Sequence, residues 1–449
     1  MASQLATLRK ELSAPGLIKI VREQFSRIND TRRQGSIIFT LPDTLCAALA
    51  MFQFKWPSLL QFDEMSHGNQ TVMGNLRRLY HLNSVASDSQ MRQIFDPVKP
   101  CELRRAFRAV HSSAQRGKVL EDFAIFDNRY LLSIDGTGLF SSTKVKCAQC
   151  GVKKHRNGVT EYYHQSLVAV IVHPEQKTVL PMDFEPIVKS DGDKKNDCER
   201  NASKRLLAAI NQGYSKRKFI VLEDALAANA PHIQLLMDCD MDFIINIKPV
   251  GNASLFDAMH ERFLLKQVTE GEQTQSDGSA RGYRFAADMP LNASHPNIRV
   301  NMIEYWEVDK LDPEKVTLNM SWITNLQISP ENVFDIVQAA RTRWKVENEG
   351  FNTLKNQGYN DEHNYGHGKQ NLSSTLVGLM LLSFLIDQLQ QHSCQLYKQA
   401  RKALRVQKVM WESMRSVIRL IEISDWETLW RLLGSNGSEK PILGFSDTS

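Results

Sequence analysis

What most constrains this chain is a change of rhythm near residue 126. Before it, apolar residues recur at helical spacing, as in Leu17, Ile18, Ile20, Val21 and Phe25, the repeat that puts one face of a helix into a core. After it come short apolar runs, rich in β-branched residues, at 129–140, 163–172, 178–184, 218–224 and 241–247. Such runs read as strands with covered faces. The first three follow one another directly and predict an antiparallel meander. The last two alternate with helical stretches at 197–212 and 225–237, as in a mixed α/β layer. The fold class is therefore α/β, with helical regions at both ends.

Five regions follow from this pattern. Residues 1–125 form a helical domain whose last helix carries Arg104, Arg105, Arg108, Arg116 and Lys118. Basic helix ends of this kind suit DNA-backbone contact, and equally a solvated bundle face. Residues 126–247 hold the first part of the α/β core. Residues 248–328 are a strand-rich insertion, with strands at 298–306 and 317–326 and a polar, glycine-containing loop at 270–281 expected to be mobile. Residues 329–392 resume the core with an amphipathic helix at 332–355, a turn at 364–369 and a buried helix. Residues 393–449 are basic amphipathic helices with a loose tail from residue 435.

The longest apolar run, 376–386, is shorter than the ~20 residues that span a bilayer. The opening Met1-Ala2-Ser3-Gln4-Leu5 has no basic-then-apolar leader. Seven cysteines, mostly scattered, then imply reduced thiols. The expectation is a cytoplasmic protein with no membrane contact. A formal charge of +5 and a pI near 8.7 permit nucleic acid as a partner without requiring it.

Three acids stand out. Asp135 lies inside the first strand run and is followed by Gly136, where a missing side chain lets a ligand approach; the plain alternative is an Asp-Gly turn. Asp224 closes the fourth run as the next helix begins, a position that serves equally as an ordinary helix cap or a ligand site. On the 332–355 helix, Val333, Val337, Ala340, Trp344, Phe351 and Leu354 make one stripe at ~100° per residue. Glu347 falls at its edge, with Glu349 and Asp335 opposite. A core-facing carboxylate requires a partner or a metal; Arg343, one turn earlier, is the simple partner. Read together, three carboxylates from separate elements suit hard divalent cations, Mg²⁺ or Mn²⁺. Two such ions about 4 Å apart serve both the attacking and the leaving oxygen of a phosphodiester.

Ile134-Asp135-Gly136-Thr137, Leu222-Glu223-Asp224-Ala225 and Arg343-Trp344-Lys345-Val346-Glu347 resemble the DDE transposases of bacterial insertion sequences, and the branch of insertion-sequence family four in particular. The resemblance covers roughly residues 125–390. It implies a ribonuclease-H-like core with a β-strand insertion before the Glu, and Asp135, Asp224 and Glu347 as metal-binding catalytic acids. Implied too are metal-dependent cleavage at element ends, strand transfer into target DNA, double-stranded DNA as partner, and a homodimer on it. The family signature also carries a Tyr and a Lys, where this chain has Ala340 and Leu354, with Lys355 next. Arg343 and Lys355 are then the candidates for gripping DNA phosphate. A catalytically silent DNA-binding relative and another ribonuclease-H-like nuclease are the alternatives. Glu223 and Glu349 are rival acids.

Cys147-Ala148-Gln149-Cys150 has the spacing of a zinc half-site. His155, His164 and Cys198 are candidates for the other half, and reduced loop cysteines are the plain alternative. Lys144, Lys146, Lys153, Lys154 and Arg156 surround the segment and offer contacts to DNA.

Overall fold

Eleven strands make one mixed sheet in the computed structural model, which describes residues 11–435 apart from 193–194, 311 and 313–314. They are β1 (Ala124–Ile125), β2 (Arg129–Ser142), β3 (Gly151–Lys154), β4 (Thr160–Val172), β5 (Leu180–Ile187), β6 (Phe219–Glu223), β7 (Asp242–Ile247), β8 (Thr269–Thr274), β9 (Ala280–Asn292), β10 (His295–Val308) and β11 (Val316–Thr324). β2, β4 and β5 pair antiparallel, as the consecutive runs imply. β6 then lies parallel to β2, and β7 parallel to β6. All five residues of β6 are buried, the mark of a strand covered on both faces.

The 248–328 strands continue this sheet. β11 pairs antiparallel with β7, Ser321 opposite Ile247, and β10, β9 and β8 follow outward. Two expectations need correction here. The insertion opens with a helix, Pro249–Leu264, that a strand-and-loop reading overlooks. The supposed mobile loop at 270–281 is mostly the hairpin of β8 and β9, with Thr269 opposite Phe285 and Thr274 opposite Ala280. Five of the six β8 residues are exposed, so an outermost strand held by backbone ladders and by the Arg284–Glu270 pair has the composition of a loop.

Helices Ala14–Phe25, Leu41–Gln53, Leu59–Gly68, Gln70–Tyr80, Asp88–Phe95 and Arg104–Arg116 precede the sheet. Their ends are set by sequence: Thr40, Ser58 and Asn69 accept N–H groups of the first turns, and Ser87 and Gln90 form a capping box. The helix Leu372–Ser393 joins these helices to the sheet, packing on Leu41–Gln53 and on β5. At Gly378 an added Cβ would sit 2.5 Å from Phe184 and 2.6 Å from Leu103, so only glycine allows this approach. Among the described residues it is the one helix long and apolar enough to cross a membrane, and 94% of its apolar window is buried in protein.

Its first turn is closed from a distance. Asp96 Oδ1 accepts the N–H groups of Lys369, Gln370, Asn371 and Leu372 at 2.9–3.2 Å, which satisfies amides that a helix start leaves orphaned. Lys55 reaches the same helix further on, its Nζ 2.6 Å from Asp387 in a fully buried pair. Helices Gln395–Leu404, Gln407–Leu420 and Trp426–Gly434 complete the body, and one hydrophobic core runs from Leu12 to Leu433. The leader reading at residues 1–5 and the tail beyond 435 fall outside the described residues.

Candidate active site and metal centre

The parallel ladder of β2 and β6 ends with Ser133 beside Leu222. Two residues further along each chain stand Asp135 and Asp224. Neighbouring strands run about 4.8 Å apart, so the register alone carries both acids to one rim of the sheet. Both line a cleft with Gly136, Glu199, Glu223 and His232. β2 continues to Ser142, with Asp135 opposite Val168 and Gly136 opposite Leu167, so Asp135-Gly136 is not a turn. Gly136 is not demanded by crowding either: an added Cβ would meet Leu167 and Glu199 at ordinary distances of 3.8 and 3.9 Å.

Asp224 is exposed and also caps the short 3₁₀ turn Ala225–Ala227, its Oδ1 accepting the Leu226 N–H at 2.9 Å. The plain cap and the place on the cleft wall hold together. The helix expected at 225–237 is thereby split, and its α-helical part is Ala230–Asp238. The rival Glu223 lines the same cleft, but it is buried and bonded to His232 Nε2 at 2.5 Å.

The expected continuous helix at 332–355 is broken into α-helix (Val333–Arg341), 3₁₀ turn (Thr342–Trp344), π-turn (Val346–Phe351) and α-helix (Asn352–Asn356). A wheel at one fixed angle per residue loses phase across such changes of pitch. Trp344, assigned to the stripe, is therefore exposed at 45%, and Val346 takes the core position instead. Glu347 is half exposed rather than core-facing, and Glu349 is partly buried. Two bonds set this segment against the sheet: Ser133 Oγ donates to the Arg343 carbonyl at 3.1 Å, and Lys345 Nζ donates to the carbonyls of His173, Pro174 and Gln176 at 2.7–2.8 Å. The second is a clamp on the β4–β5 turn that no sequence pattern announced.

Arg343 stands between two of the three acids. Nη1 donates to Asp135 Oδ2 at 2.8 Å and Nη2 to Glu347 Oε1 at 2.8 Å. The simple Arg343–Glu347 pair is thus present, and its second arm draws Glu347 within hydrogen-bond reach of Asp135. The Asp135 carboxyl is raised to about 6: burial pushes it up most, Arg343 and the Gly136 N–H pull it down, and Glu347 adds to the rise. Burial also works against the Arg343 charge, but Asp135 and Glu347 outweigh it and raise its pKa. Lys355 is elsewhere. It is exposed, 3.2 Å from Glu362, and opens on a separate basic cleft with Lys408, Arg415 and Arg419. The pitch changes turn it away from the stripe side and from the three acids.

A second cluster has a different chemistry. Cys147 Sγ and Cys150 Sγ lie 3.5 Å apart, and each is 3.4 Å from His164 Nε2. His367 Nδ1 is 3.3 Å from Cys150 Sγ and 3.3 Å from His164 Nε2. All four ligand atoms fall within 4.8 Å of one another, and the group can hold a metal ion. Of the three candidates for the second half, only His164 is present. His155 bonds Glu161 at 2.7 Å, and Cys198 donates to the Gly192 carbonyl. His367 comes from the turn at 364–369, far along the chain; the glycines on either side of it, in Gly366-His367-Gly368, were its only visible signal. Burial pushes His164 down to about 4, with His367 adding to the effect, and keeps its ring neutral as a metal ligand requires.

No family model matches this chain, and no curated protein is a significant match to it.

Proposed function

We propose that the chain is a DDE-type transposase that cuts DNA at the ends of an insertion sequence and joins the freed 3′-hydroxyl to target DNA. The observation that carries the reading is the convergence of Asp135 and Glu347 on Arg343, with Asp224 on the same sheet rim. An acid in the first strand of the α/β layer, one at the end of the fourth long strand and one on a later helix, with strands inserted before it, make up the layout that the ribonuclease-H-like resemblance implies.

Three carboxylates with no thiol or imidazole ligand among them fit Mg²⁺ or Mn²⁺. Two such ions would activate the attacking oxygen and stabilise the leaving one. The chain's own groups do the rest. Strand pairing fixes Asp135, and Asp224 is held just past the end of β6 by its cap on the Leu226 N–H. Arg343 supplies the counter-charge to Asp135 and Glu347, and its planar donor fork suits a backbone phosphate. Lys345 and Ser133 fix the Glu347 segment against the sheet. Exposed Lys144, Lys146, Lys153, Lys154 and Arg156, with the cleft of Lys355, Lys408, Arg415 and Arg419, offer a phosphate-binding surface. Paired element ends call for two copies on DNA, and a homodimer is the form we propose there.

One observation favours a second reading, a silent DNA-binding relative: Arg343 already bonds both Asp135 and Glu347 and offsets part of their charge. The deciding experiment is cleavage of DNA bearing the element's terminal sequence in Mg²⁺. Cutting by the wild type, lost in Asp135→Ala and Glu347→Ala, supports the transposase. Full cutting by either variant ends the assignment, and salt-dependent DNA binding with no cutting selects the silent relative.

A further inference from the structure

We propose that Cys147, Cys150, His164 and His367 hold one structural Zn²⁺ ion, which fastens the hairpin bearing Asp135 to the strap that leaves the Glu347 segment. Two thiolates and two imidazoles are borderline-soft donors and select zinc over the hard cations suited to carboxylates. A tetrahedral ion ~2.3 Å from sulfur and ~2.0 Å from nitrogen sets its ligand atoms roughly 3.3–3.8 Å apart. Five of the six separations here are 3.3–3.5 Å, and all six are within 4.8 Å. Four protein ligands close the coordination sphere, and three of the four are buried, so the site lacks the open position of a catalytic zinc.

The placement of the ligands gives the site its task. Cys147 and Cys150 sit in the connection after β2, and His164 lies on β4. His367 belongs to the segment between the helix Asn352–Asn356 and the helix Leu372–Ser393. That strap is pressed on its other side against the N-terminal helices. Arg92 donates to the Tyr365 carbonyl, and Asp96 collects the amides of residues 369–372. Gly366 and Gly368 present His367 through left-handed backbone, with φ of 116° and 65°. An added Cβ would lie 2.4 Å from Arg92 at the first and 2.1 Å from Asp96 at the second. The strap therefore has no slack at His367, and the ion joins the sheet hairpin to a strap that the N-terminal helices already hold through Arg92 and Asp96.

The test is metal content of the full chain, purified under reducing conditions without chelator or immobilised metal. One zinc per chain is expected. Asp135→Ala and Glu347→Ala should keep it, and Cys150→Ala and His367→Ala should lose at least about nine-tenths of it, so this result stands apart from any DNA-cleavage result. Should those variants fail to fold, Co²⁺ exchanged into the wild type must show the intense visible bands of tetrahedral thiolate coordination. Stripping the ion should speed hydrogen exchange in residues 360–371 by about tenfold or more and leave β6 and β7 unchanged. No zinc with a Cys147–Cys150 disulfide, full zinc in His367→Ala, or unchanged exchange in the strap would each overturn the proposal.

Discussion

The carboxylate group around Arg343 and the thiol–imidazole group around His367 are assembled from similar pieces and end in opposite states. Each draws on β2 or its continuation and on a residue from beyond position 340. The first stays on a sheet rim, partly wet, with a guanidinium between its acids. The second is closed and mostly buried, with four ligand atoms facing one point. Openness rather than sequence distance separates the two groups. Electrostatics reinforce the contrast: the open site keeps an internal cation, and the closed one keeps a neutral imidazole at His164.

The largest effect that would break this contrast is on catalysis. Asp135→Ala or Glu347→Ala should reduce DNA cleavage by at least about 10³-fold, with zinc content and melting temperature little changed. A loss of zinc in either would mean that the two groups are one device. Next in size is strain at the strap. Gly368→Ala places a Cβ against Asp96 at a left-handed φ of 65° and should cost about 1–3 kcal/mol in denaturant unfolding. An unchanged midpoint would show that the strap has slack.

A smaller and more diagnostic effect is on cation affinity. Arg343→Gln removes the charge that competes with a divalent ion at Asp135 and Glu347, and calorimetry should show Mn²⁺ binding roughly tenfold tighter, whatever happens to cleavage. Weaker binding would mean that the arginine shapes the ion site instead of guarding it. The smallest effect is on stability against pH. Asp135 has its pKa raised to about 6 in the fold, above the ~3.9 of an unfolded chain. The folded state then binds the proton more tightly, so the stability Asp135 contributes is present below pH ~4 and is lost as pH rises through about 6. Urea midpoints of the ion-free protein should show this decline, and Asp135→Asn should flatten it.

Much of this was legible in the residues, for reasons that differ by element. The core strands announced themselves because runs such as 219–222 are apolar throughout. Asp135 stood out as an acid inside such a run, and Asp224 as an acid closing one. β8 was unreadable because a polar outer strand draws its order from ladder bonds, which composition does not record. Glu347 was found through a helical wheel, yet its true setting depends on 3₁₀ and π turns that the wheel averages away. Cys147 and Cys150 advertised half a site through close spacing. His367 could not, since 217 residues separate it from Cys150 and only the fold closes that gap.

The grip of Asp96 on the amides of residues 369–372 bears on how this chain can be divided. A fragment begun at the sheet would take Asp96 from the N–H groups of residues 369–372, at and just before the central helix start, and would strip the helix face that rests on Leu41–Gln53. The residues that look like a portable catalytic module are therefore finished by the part that looks like an appendage. Transplanting the one means carrying the other.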